Sequence, residues 1–502
     1  MATNINRRWF IGSALSFGAF GGCRMFEVDD FRPDGIPNLK FGVISDIHII
    51  RDGIIMPQRG NTELLVKTLK WFDQEKVDGV VIAGDMADNG LIDQLQTVAE
   101  AWNSVFPGDY AADGRKVERL FVYGNHDLGS WRYCRRWALA DSTLTDDEVR
   151  PRMIATDLAK AWQAAFNEDY HDIWKKSIKG YDFVGAHWIY PLDQNHVLSN
   201  RFNDGIGEFY RLQGKNFDPR KPFFHIQHPH PKNTCYGDWA WGHDDGMTTA
   251  ALSRFPNAVA FSGHSHYPLT DERSIWQGEF TSVGTASLRF SGLPHDEFEP
   301  NLSLEEKADK LTPLLYTADS AQAMVWSIYD DSMVAKRREM NSGLSLGPDW
   351  VLPLPTAESK PFAFIEHAKK ISAPEFAAGA VMKLEKTVAK TRGNKFEKSM
   401  PSRKAIAKVE REAIKLTIPA PIAKDGARVM RFLIEVKGAE KRYSKYTLAN
   451  GFHQPSSHSR AKEATEVFMA IKDLPKGKVD VVVTPENCYG LKGASISAEF
   501  VI

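Results

Sequence analysis

Cysteine is scarce in this chain of 502 residues, which contains only Cys23, Cys134, Cys235 and Cys488. Four cysteines, one of them inside the N-terminal segment described below, are too few for a disulfide framework. This excludes a small secreted domain that depends on disulfides for its stability. The number suits a protein that folds in a reducing compartment.

Long apolar runs and an excess of charge are also missing. No stretch of about 20 apolar residues occurs, so the sequence predicts no transmembrane helix. The 63 Lys and Arg residues nearly balance the 64 Asp and Glu residues, for a net charge of -1. Overall charge therefore gives no reason to expect a nucleic-acid or membrane-surface partner, and we predict no nucleic-acid-binding domain. A chain of this length exceeds one hydrophobic core, so two domains are expected.

Residues 1–23 have the pattern of a targeting segment. Arg7 and Arg8 precede a small apolar run that ends in Gly21-Gly22-Cys23. The paired arginines resemble a twin-arginine export signal, and the end of the run resembles a lipobox with Phe20 where an aliphatic residue is usual. We expect an exported protein, periplasmic or attached to the cell envelope, with a lipid anchor at Cys23 left open. The alternative is a cytoplasmic N-terminus that contains two arginines by chance.

Between residues 38 and 270 one local pattern recurs: a short apolar segment runs directly into a polar loop. Short runs rich in β-branched and aromatic residues predict buried strands. Periodicity between the first of them predicts helices over 61–76 and 91–106. Alternating strands and helices predict an α/β fold with a site at the carboxyl ends of its strands. The predicted strands are 39–44, 77–82, 120–123, 222–227 and 258–261.

The loops after these segments contain the candidate functional residues, which are Asp46, His48, Asp85, Asn125, His126, Asp127, His228, His264 and His266. Without His126 and Asp127, seven oxygen and imidazole donors and no thiolate are left, a set that suits iron, manganese or zinc rather than calcium. Seven donors are too many for one tetrahedral ion, so we expect two ions that share a bridging carboxylate. Two ions about 3.5–4 Å apart hold a bridging hydroxide and clamp phosphoryl oxygens during in-line attack.

In type and order these loops resemble the signature of the calcineurin-like metallophosphoesterases. The resemblance covers roughly residues 38–270 and rests on Asp46-Ile47-His48, Gly84-Asp85-Met86-Ala87-Asp88, Gly124-Asn125-His126-Asp127, His228 and Gly263-His264-Ser265-His266. It implies a four-layer α/β/β/α sandwich within a phosphoesterase domain over 38–355.

The resemblance also implies a role for each site residue. One metal ion would be held by Asp46, His48, Asp85 and His266, and the other by Asp85, Asn125, His228 and His264. His126 would contact a phosphoryl oxygen or protonate the leaving alkoxide, Asp127 would orient the His126 ring, and Asp88 would support the ligands from behind. Within the fourth motif, strand alternation favours a core role for His225. His228 is then the preferred ligand and His230 the alternative.

Two insertions interrupt this scheme. Residues 130–180 are predicted to be helical, and residues 232–250 are predicted to form a loop. Either could cap the site and select the substrate, or their tryptophans could be core residues. The aromatic residues concerned are Trp131, Trp137, Trp162 and Trp174 in the first insertion and Trp239 and Trp241, with His243, in the second.

The pattern of apolar and polar residues changes after about residue 355. A Pro-containing stretch at 352–355 predicts a linker. Short alternating segments across 370–502 then predict a small all-β sandwich domain, whose last hairpin, around 487–493, resembles fibronectin type III-like domains. This domain could bind a carbohydrate or a surface partner. The basic run over 383–415 fits a solvated face better than a polyanion site.

The sequence thus predicts a metal-dependent phosphohydrolase that cleaves a phosphomonoester or phosphodiester by attack of a metal-bridging hydroxide. The alternative is a non-catalytic metal-binding or surface-binding protein on the same fold. The substrate, the choice of metals and the oligomeric state stay open at this level.

Overall fold

The computed structural model describes residues 33, 35–50, 61–129, 145–190, 201–237, 240–292, 320–391, 409–422 and 428–502. The predicted export signal, Cys23, Trp131, Trp137 and Trp239 lie outside this part of the chain. Among the described helices, none combines the length and the apolar character that a membrane crossing requires.

The first unit of the fold contains twelve of the described strands. In chain order they are β1 (Leu39–Ile44), β2 (Gly79–Ala83), β3 (Glu118–Val122), β4 (Ile173–Ile178), β5 (Tyr181–Ala186), β6 (Phe223–Ile226), β7 (Ala258–Ser262), β8 (Ile275–Gln277), β9 (Thr281–Gly284), β10 (Gln322–Ile328), β11 (Ser332–Glu339) and β12 (Trp350–Pro353). The described helices are α1 (Asn61–Gln74), α2 (Ile92–Val105), α3 (Asp146–Val149), α4 (Leu158–Phe166), α5 (Ile206–Gln213), α6 (Met247–Leu252) and α7 (Phe364–Ala368).

These strands form two six-stranded sheets that pack face to face. One sheet has the order β12-β11-β10-β1-β2-β3 and the other the order β4-β5-β6-β7-β9-β8. The ring of Phe41 in β1 lies 5.3, 4.9 and 5.6 Å from the rings of Phe183, Phe224 and Phe261 in the opposite sheet. Burial of each such ring contributes roughly 1.5–3 kcal/mol to stability.

Helices cover the outer faces of both sheets. In β2 the side chains alternate, so that Val81 enters the core between the sheets while Val80 and Ile82 enter the core under the helices. Leu65, Leu69 and Phe72 of α1 and Leu95, Val98 and Trp102 of α2 belong to that outer core. The predicted four-layer α/β/β/α arrangement is confirmed.

The first insertion departs from the prediction. Residues 130–180 were expected to be helical, but within their described part only α3 and α4 are α-helices, and Trp174 lies in β4. The cause is a two-residue turn: Lys179 and Gly180 both have positive φ, 50° and 80°, and join β4 to β5 as a hairpin. Turns with two positive φ angles match the twist of antiparallel strands, and glycine favours them.

The second unit is all β. Its strands are β13 (Lys383–Thr391), β14 (Val409–Ile418), β15 (Val429–Lys437), β16 (Arg442–Leu448), β17 (Thr465–Ala470), β18 (Lys478–Asn487) and β19 (Ile496–Val501). They form a three-stranded sheet, β13-β14-β17, and a four-stranded sheet, β16-β15-β18-β19. Alternate side chains of both sheets, among them Leu416 and Phe432, share one core. The expected small all-β unit is therefore present.

The linker predicted at 352–355 is wrong: Leu352 and Pro353 belong to β12, and the following residues are packed on the first unit. Phe362 is buried, and its backbone N–H donates to Oε1 of Gln277 at 3.1 Å. Thr356 donates from its hydroxyl to the carbonyl of Pro256 at 2.9 Å. Residues 355–362 are thus packed against the first unit, which local composition did not indicate.

Candidate metal centre

Every candidate ligand lies just beyond the carboxyl end of a strand. Asp46 and His48 follow β1, Asp85 follows β2, and Asn125 follows β3 in one sheet. His228 follows β6, and His264 and His266 follow β7 in the other. Because β1–β3 and β6–β7 are parallel within their sheets, these ends meet at one edge of the sandwich.

Two groups of potential ligand atoms overlap where the loops meet. Asp46, His48, Asp85 and His266 form the first, and Asp85, His228 and His264 the second, with the atoms of each group within 4.8 Å of one another. Nε2 of His266 lies 3.0 Å from Oδ1 of Asp46, and Nε2 of His228 lies 3.0 Å from Oδ2 of Asp85. Asp85 belongs to both groups, so its carboxylate is placed to bridge two ions.

Each imidazole has a hydrogen bond at the nitrogen that points away from the cluster. This bond determines that the other ring nitrogen carries the lone pair and directs it into the cluster. Nδ1 of His228 lies 2.7 Å from the carbonyl of Ala83, and Nδ1 of His266 lies 3.2 Å from the carbonyl of Phe290. Nδ1 of His48 faces a carboxylate oxygen of Asp88 at 3.1 Å. An oxygen acceptor requires N–H on Nδ1, so Nε2 carries the lone pair in all three neutral rings.

These inward lone pairs require a cation. Nε2 of His48 and Nε2 of His266 are only 3.1 Å apart. Oδ1 of Asn125 is buried without a hydrogen-bond partner, and Nε2 of His228 contacts the Asp85 carboxylate without hydrogen-bond geometry, although buried polar atoms are nearly always paired. Acceptor atoms that face one another repel unless a proton or a metal ion lies between them. The donor set therefore fits metal ions with mixed nitrogen and oxygen ligation.

The pKa values of the clustered side chains also indicate that the cluster needs bound positive charge. Burial lowers the pKa of His48, but the Asp46 and Asp88 carboxylates beside it outweigh burial and raise the pKa to about 9. Burial also lowers the pKa of His228, yet the Asp85 and Asp46 carboxylates raise it to about 9. Burial would raise the pKa of Asp46, whereas the facing imidazoles hold it well below its usual range. Protons thus take the place of cations when no metal is bound.

The ligand loops have an unusual backbone. Asp46, His48, Asp85, His264 and His266 all have positive φ, between 50° and 70°. Non-glycine residues adopt this conformation rarely and at a cost of roughly 1–3 kcal/mol each, mostly at functional sites. Neighbouring loops hold it in place, since the N–H of Asp46 donates to the carbonyl of Gly84 at 3.0 Å and the N–H of His48 to the carbonyl of Asp85 at 2.9 Å.

Two glycines make room for the ligands. At Gly84, where φ is 88°, a Cβ atom would lie 2.4 Å from Nδ1 of His228. At Gly124 it would lie 2.2 Å from Oδ1 of Asp85. Both distances are far inside van der Waals contact, so the glycines of the Gly-Asp and Gly-Asn-His motifs are required by close approach of the ligand side chains.

The three histidines of the fourth motif are clearly separated. His225 is buried in β6 and bonded at both ring nitrogens, with the hydroxyl of Tyr210 and Oε1 of Gln227 each at 2.8 Å. His230 lies 2.7 Å from the hydroxyls of both Ser262 and Ser265. Only His228 reaches the carboxylate cluster, as the sequence favoured.

Asp127 has a different partner from the one expected. Its carboxylate accepts hydrogen bonds from the backbone N–H groups of Ala87 at 2.6 Å, Gly124 at 2.7 Å and Met86 at 3.3 Å. It therefore ties the loop after β3 to the loop after β2 and does not orient the His126 ring, because those three N–H groups face it. Burial and the nearby Asp85 carboxylate raise the pKa of Asp127 to about 7.

His126 is oriented instead by the backbone of Asp88. Nδ1 of His126 lies 2.8 Å from the Asp88 carbonyl, and its ring packs edge to face on His48 at 4.7 Å. The Asp88 side chain contacts the far nitrogen of His48 and forms a buried ion pair with Arg289. Asp88 thus supports the site from behind, as expected.

Residues 285–290, the support segment, were missed by the sequence reasoning. The hydroxyl of Thr285 donates to that of Ser45 at 2.6 Å, and the hydroxyl of Ser287 donates to the carbonyl of Asp46 at 3.1 Å. Arg289 and Phe290 make the contacts with Asp88 and His266 already described. The support segment follows the end of β9, just as each loop with ligands follows the end of its strand. It contains no Asp, His or Asn, so nothing in the sequence indicated that it belongs to the site.

The insertions contribute differently to the site. Trp162 and Trp174 are buried in the cores, which supports the packing interpretation for the described part of the first insertion. Trp241 of the second insertion stacks on His264, with ring centres 4.5 Å apart. Trp188, two residues beyond the end of β5, lies 5.8 Å from the same ring. The second insertion therefore reaches the metal centre.

Part of this chain is similar to solved structures of other proteins and to one protein family. The chain is similar to a dimetal phosphatase from Danio rerio (14% identity, 63% of this chain and 99% of the other, TM-score 0.36). It is also similar to a purple acid phosphatase from yellow lupin (13%, 63% and 54%, 0.36) and to GAP50, the anchor in the inner membrane complex of Plasmodium (12%, 63% and 88%, 0.34). Comparison with curated proteins gives no match. The family described as Calcineurin-like phosphoesterase matches residues 39–268, the part of the chain that contains every ligand loop.

Proposed function

We propose that this protein is a hydrolase of phosphate esters that depends on two metal ions. The observation that carries the proposal is the pair of ligand groups sharing Asp85, with imidazole lone pairs directed inward. Iron, manganese or zinc would fit this donor set. Bound there, two such ions would supply Lewis-acid stabilisation of phosphoryl oxygens and would lower the pKa of water. Asp46, His48, Asp85 and His266 would hold one ion, and Asp85, Asn125, His228 and His264 the other.

His126 is the proposed proton donor. The Asp88 carbonyl at 2.8 Å keeps a proton on Nδ1 of this half-buried ring, so Nε2 is the nitrogen that gains or loses a proton. A protonated Nε2 can donate to a phosphoryl oxygen and then to the leaving alkoxide. Trp241 and Phe290, which pack on His264 and His266, would exclude water beside the reacting group.

The test uses full-length protein loaded with manganese, iron or zinc. We expect release of nitrophenol from 4-nitrophenyl phosphate, a monoester, or from bis(4-nitrophenyl) phosphate, a diester. His126→Asn should lower kcat by about 100-fold or more, since general acid catalysis contributes that much, while metal content by elemental analysis stays unchanged. Metal-replete protein that is inert on both reporters would favour the alternative, a non-catalytic binding protein on the same fold.

We further propose that the protein acts outside the cytoplasm. The support is sequence alone: Arg7 and Arg8 before an apolar run that ends at Cys23. Replacing both arginines by lysine keeps the charge but should retain the protein in the cytosolic fraction. Wild-type protein found only in that fraction would contradict export, and wild-type protein found in the soluble periplasmic fraction would contradict the lipid anchor.

The all-β unit over residues 370–502 is proposed to be a fibronectin type III-like domain that binds a carbohydrate or another surface partner. Its two antiparallel sheets around one core are compatible with that assignment. In the same fractionation, a Cys23→Ser variant that cannot be lipidated should stay with the cell envelope if such a partner exists. Full release of this variant would contradict a surface partner.

A further inference from the structure

The segment that contains the ligands His264 and His266, residues 264–274, is anchored at Leu269. The Leu269 N–H donates to Oε1 of Gln322 at 2.6 Å, and the Leu269 carbonyl accepts from Nη1 of Arg337 at 2.6 Å. The side chains of Gln322 and Arg337 are almost fully buried. Residues 264–274, here called the ligand loop, therefore have a fixed position relative to β10 and β11, three residues beyond His266.

Gln322 also contacts the second unit. Nε2 of its amide donates to the carbonyl of His453 at 2.9 Å and to the hydroxyl of Ser320 at 2.8 Å. Ser320 donates to the same His453 carbonyl at 3.1 Å. One buried amide thus joins the ligand loop on its oxygen side to the all-β unit on its nitrogen side.

The backbone of Gln322 reaches the other half of the metal centre. Its N–H donates to the carbonyl of Ser287 at 2.9 Å, and Ser287 is the residue of the support segment that bonds the carbonyl of Asp46. Gln322 is therefore one hydrogen bond from the segment behind Asp46, and its other partner, Leu269, lies three residues beyond His266. Displacement of Gln322 would move ligands of both sheets.

A second contact of the all-β unit is made at Glu272 of the ligand loop. The hydroxyl of Tyr489 donates to the Glu272 carbonyl at 3.1 Å. The Glu272 carboxylate lies 3.6 Å from Nη1 of Arg337, and that guanidinium stacks over Trp350 at 4.0 Å. Arg273 adds a contact with Sδ of Met430 at 3.6 Å. The second unit thus contacts the ligand loop directly at Glu272 and Arg273, and it reaches Leu269 through Gln322. The buried Arg337 guanidinium contacts both Leu269 and Glu272.

We propose that the all-β unit is a structural support of the metal centre and that Gln322 is the positioning residue through which it acts. The inference rests on the proposed metal binding. A buried amide whose oxygen and both N–H groups are hydrogen-bonded is restrictive, because each lost partner leaves a buried polar atom unsatisfied. Groups behind metal ligands commonly change metal affinity by about 10–100-fold when removed. The docking of the second unit therefore sets how tightly His264 and His266 hold their ions.

The experiment measures Mn²⁺ binding to the full-length, metal-stripped protein by calorimetry. Gln322→Glu keeps an oxygen for the Leu269 N–H but turns the donor facing the His453 carbonyl into an acceptor. Tyr489→Phe removes only the hydroxyl that bonds Glu272. We expect the Mn²⁺ dissociation constant to rise about 10-fold in the first variant and about fivefold in the second.

The matched control is Thr484→Val, which removes a hydroxyl hydrogen bond of 2.7 Å to Ser495, a bond made entirely within the all-β unit. It should leave the Mn²⁺ dissociation constant unchanged. Wild-type affinity in both Gln322→Glu and Tyr489→Phe would overturn this inference, as would an equal loss in Thr484→Val. If Gln322→Glu does not fold, Tyr489→Phe decides alone. Wild-type protein that binds no Mn²⁺ would contradict the proposed function instead.

Discussion

At the scale of single residues, the metal centre depends on a relay behind its ligands. Arg289 forms an ion pair with Asp88, and Asp88 holds Nδ1 of His48 at 3.1 Å. The Arg289 and Asp88 side chains are only 8% and 6% exposed, so water screens them little. The guanidinium holds the pKa of Asp88 well below its usual range, although burial alone would raise it. Asp88 therefore stays anionic and fixes the tautomer of His48.

Replacing Arg289 by methionine should damage both stability and metal binding. The variant leaves a buried carboxylate without its cation, which costs about 3–5 kcal/mol in comparable buried pairs. It also loosens His48, so we expect Mn²⁺ affinity to fall about 10-fold. Urea unfolding and calorimetric titration measure the two effects separately.

The double variant Arg289→Met with Asp88→Asn separates charge from positioning. Removing both charges should recover much of the unfolding free energy, while metal affinity stays low because the anchor of His48 is gone. Arg211→Met is the control: its pair with Glu208 is 61% and 57% exposed, and it should change stability by less than about 1 kcal/mol. An Arg289→Met variant as stable as this control would contradict the argument.

At the scale of elements, the strands that end in ligands could be predicted from the sequence. In each of them a short apolar run and its polar loop are adjacent, so local pattern contains the signal. β1 matches its predicted bounds, 39–44, and the other four strands match to within two residues at each end. The site residues on these loops come together because the strands are parallel within each sheet.

Strands paired over long distances could not be predicted in this way. β10 and β11 extend the first sheet. Trp326 of β10 pairs with Phe41 of β1, although most of the sequence of the first unit lies between these two residues. Neither strand runs into one of the metal-ligand motifs, so nothing in the sequence linked them to the strands of the site. The same reason explains the support segment and the true partners of Asp127, since both are defined by contacts between distant loops. His228 was separable from His225 by strand alternation, whereas its distinction from His230 depends on Ser262 and Ser265.

At the scale of the whole molecule, charge and strain are concentrated at one edge of the sandwich. Five ligand residues have positive φ, and their side chains direct acceptor atoms at one another. Metal binding offsets both costs, so it should stabilise the folded chain strongly. The all-β unit contacts Glu272 of the ligand loop directly and reaches Leu269 of the loop through Gln322, so the stabilisation should extend to that unit as well.

Chelation of the metal should therefore lower the melting temperature of the entire protein. A bound ion at 100 times its dissociation constant contributes about 2.7 kcal/mol, and two such ions correspond to roughly 5–10 °C for a unit of about 320 residues. In scanning calorimetry, with and without a chelator, we expect both units to shift together. A transition that does not move after elemental analysis confirms metal loss would contradict the metal centre. Movement of one transition out of two would contradict the coupling between the units.

The chelator effect should also grow with pH. The pKa values of His48 and His228 are raised to about 9 in the metal-free cluster, against about 6.5 in an unfolded chain. Their protons therefore stabilise the metal-free fold fully below pH 6.5, and this contribution is lost as the pH rises through 9. A metal ion supplies the same positive charge without a proton, and it must displace those protons at low pH. The difference in melting temperature between metal-bound and chelated protein should thus be smaller at pH 6 than at pH 9. A difference that becomes smaller from pH 6 to pH 9 would show that the metal does not act by relieving carboxylate repulsion.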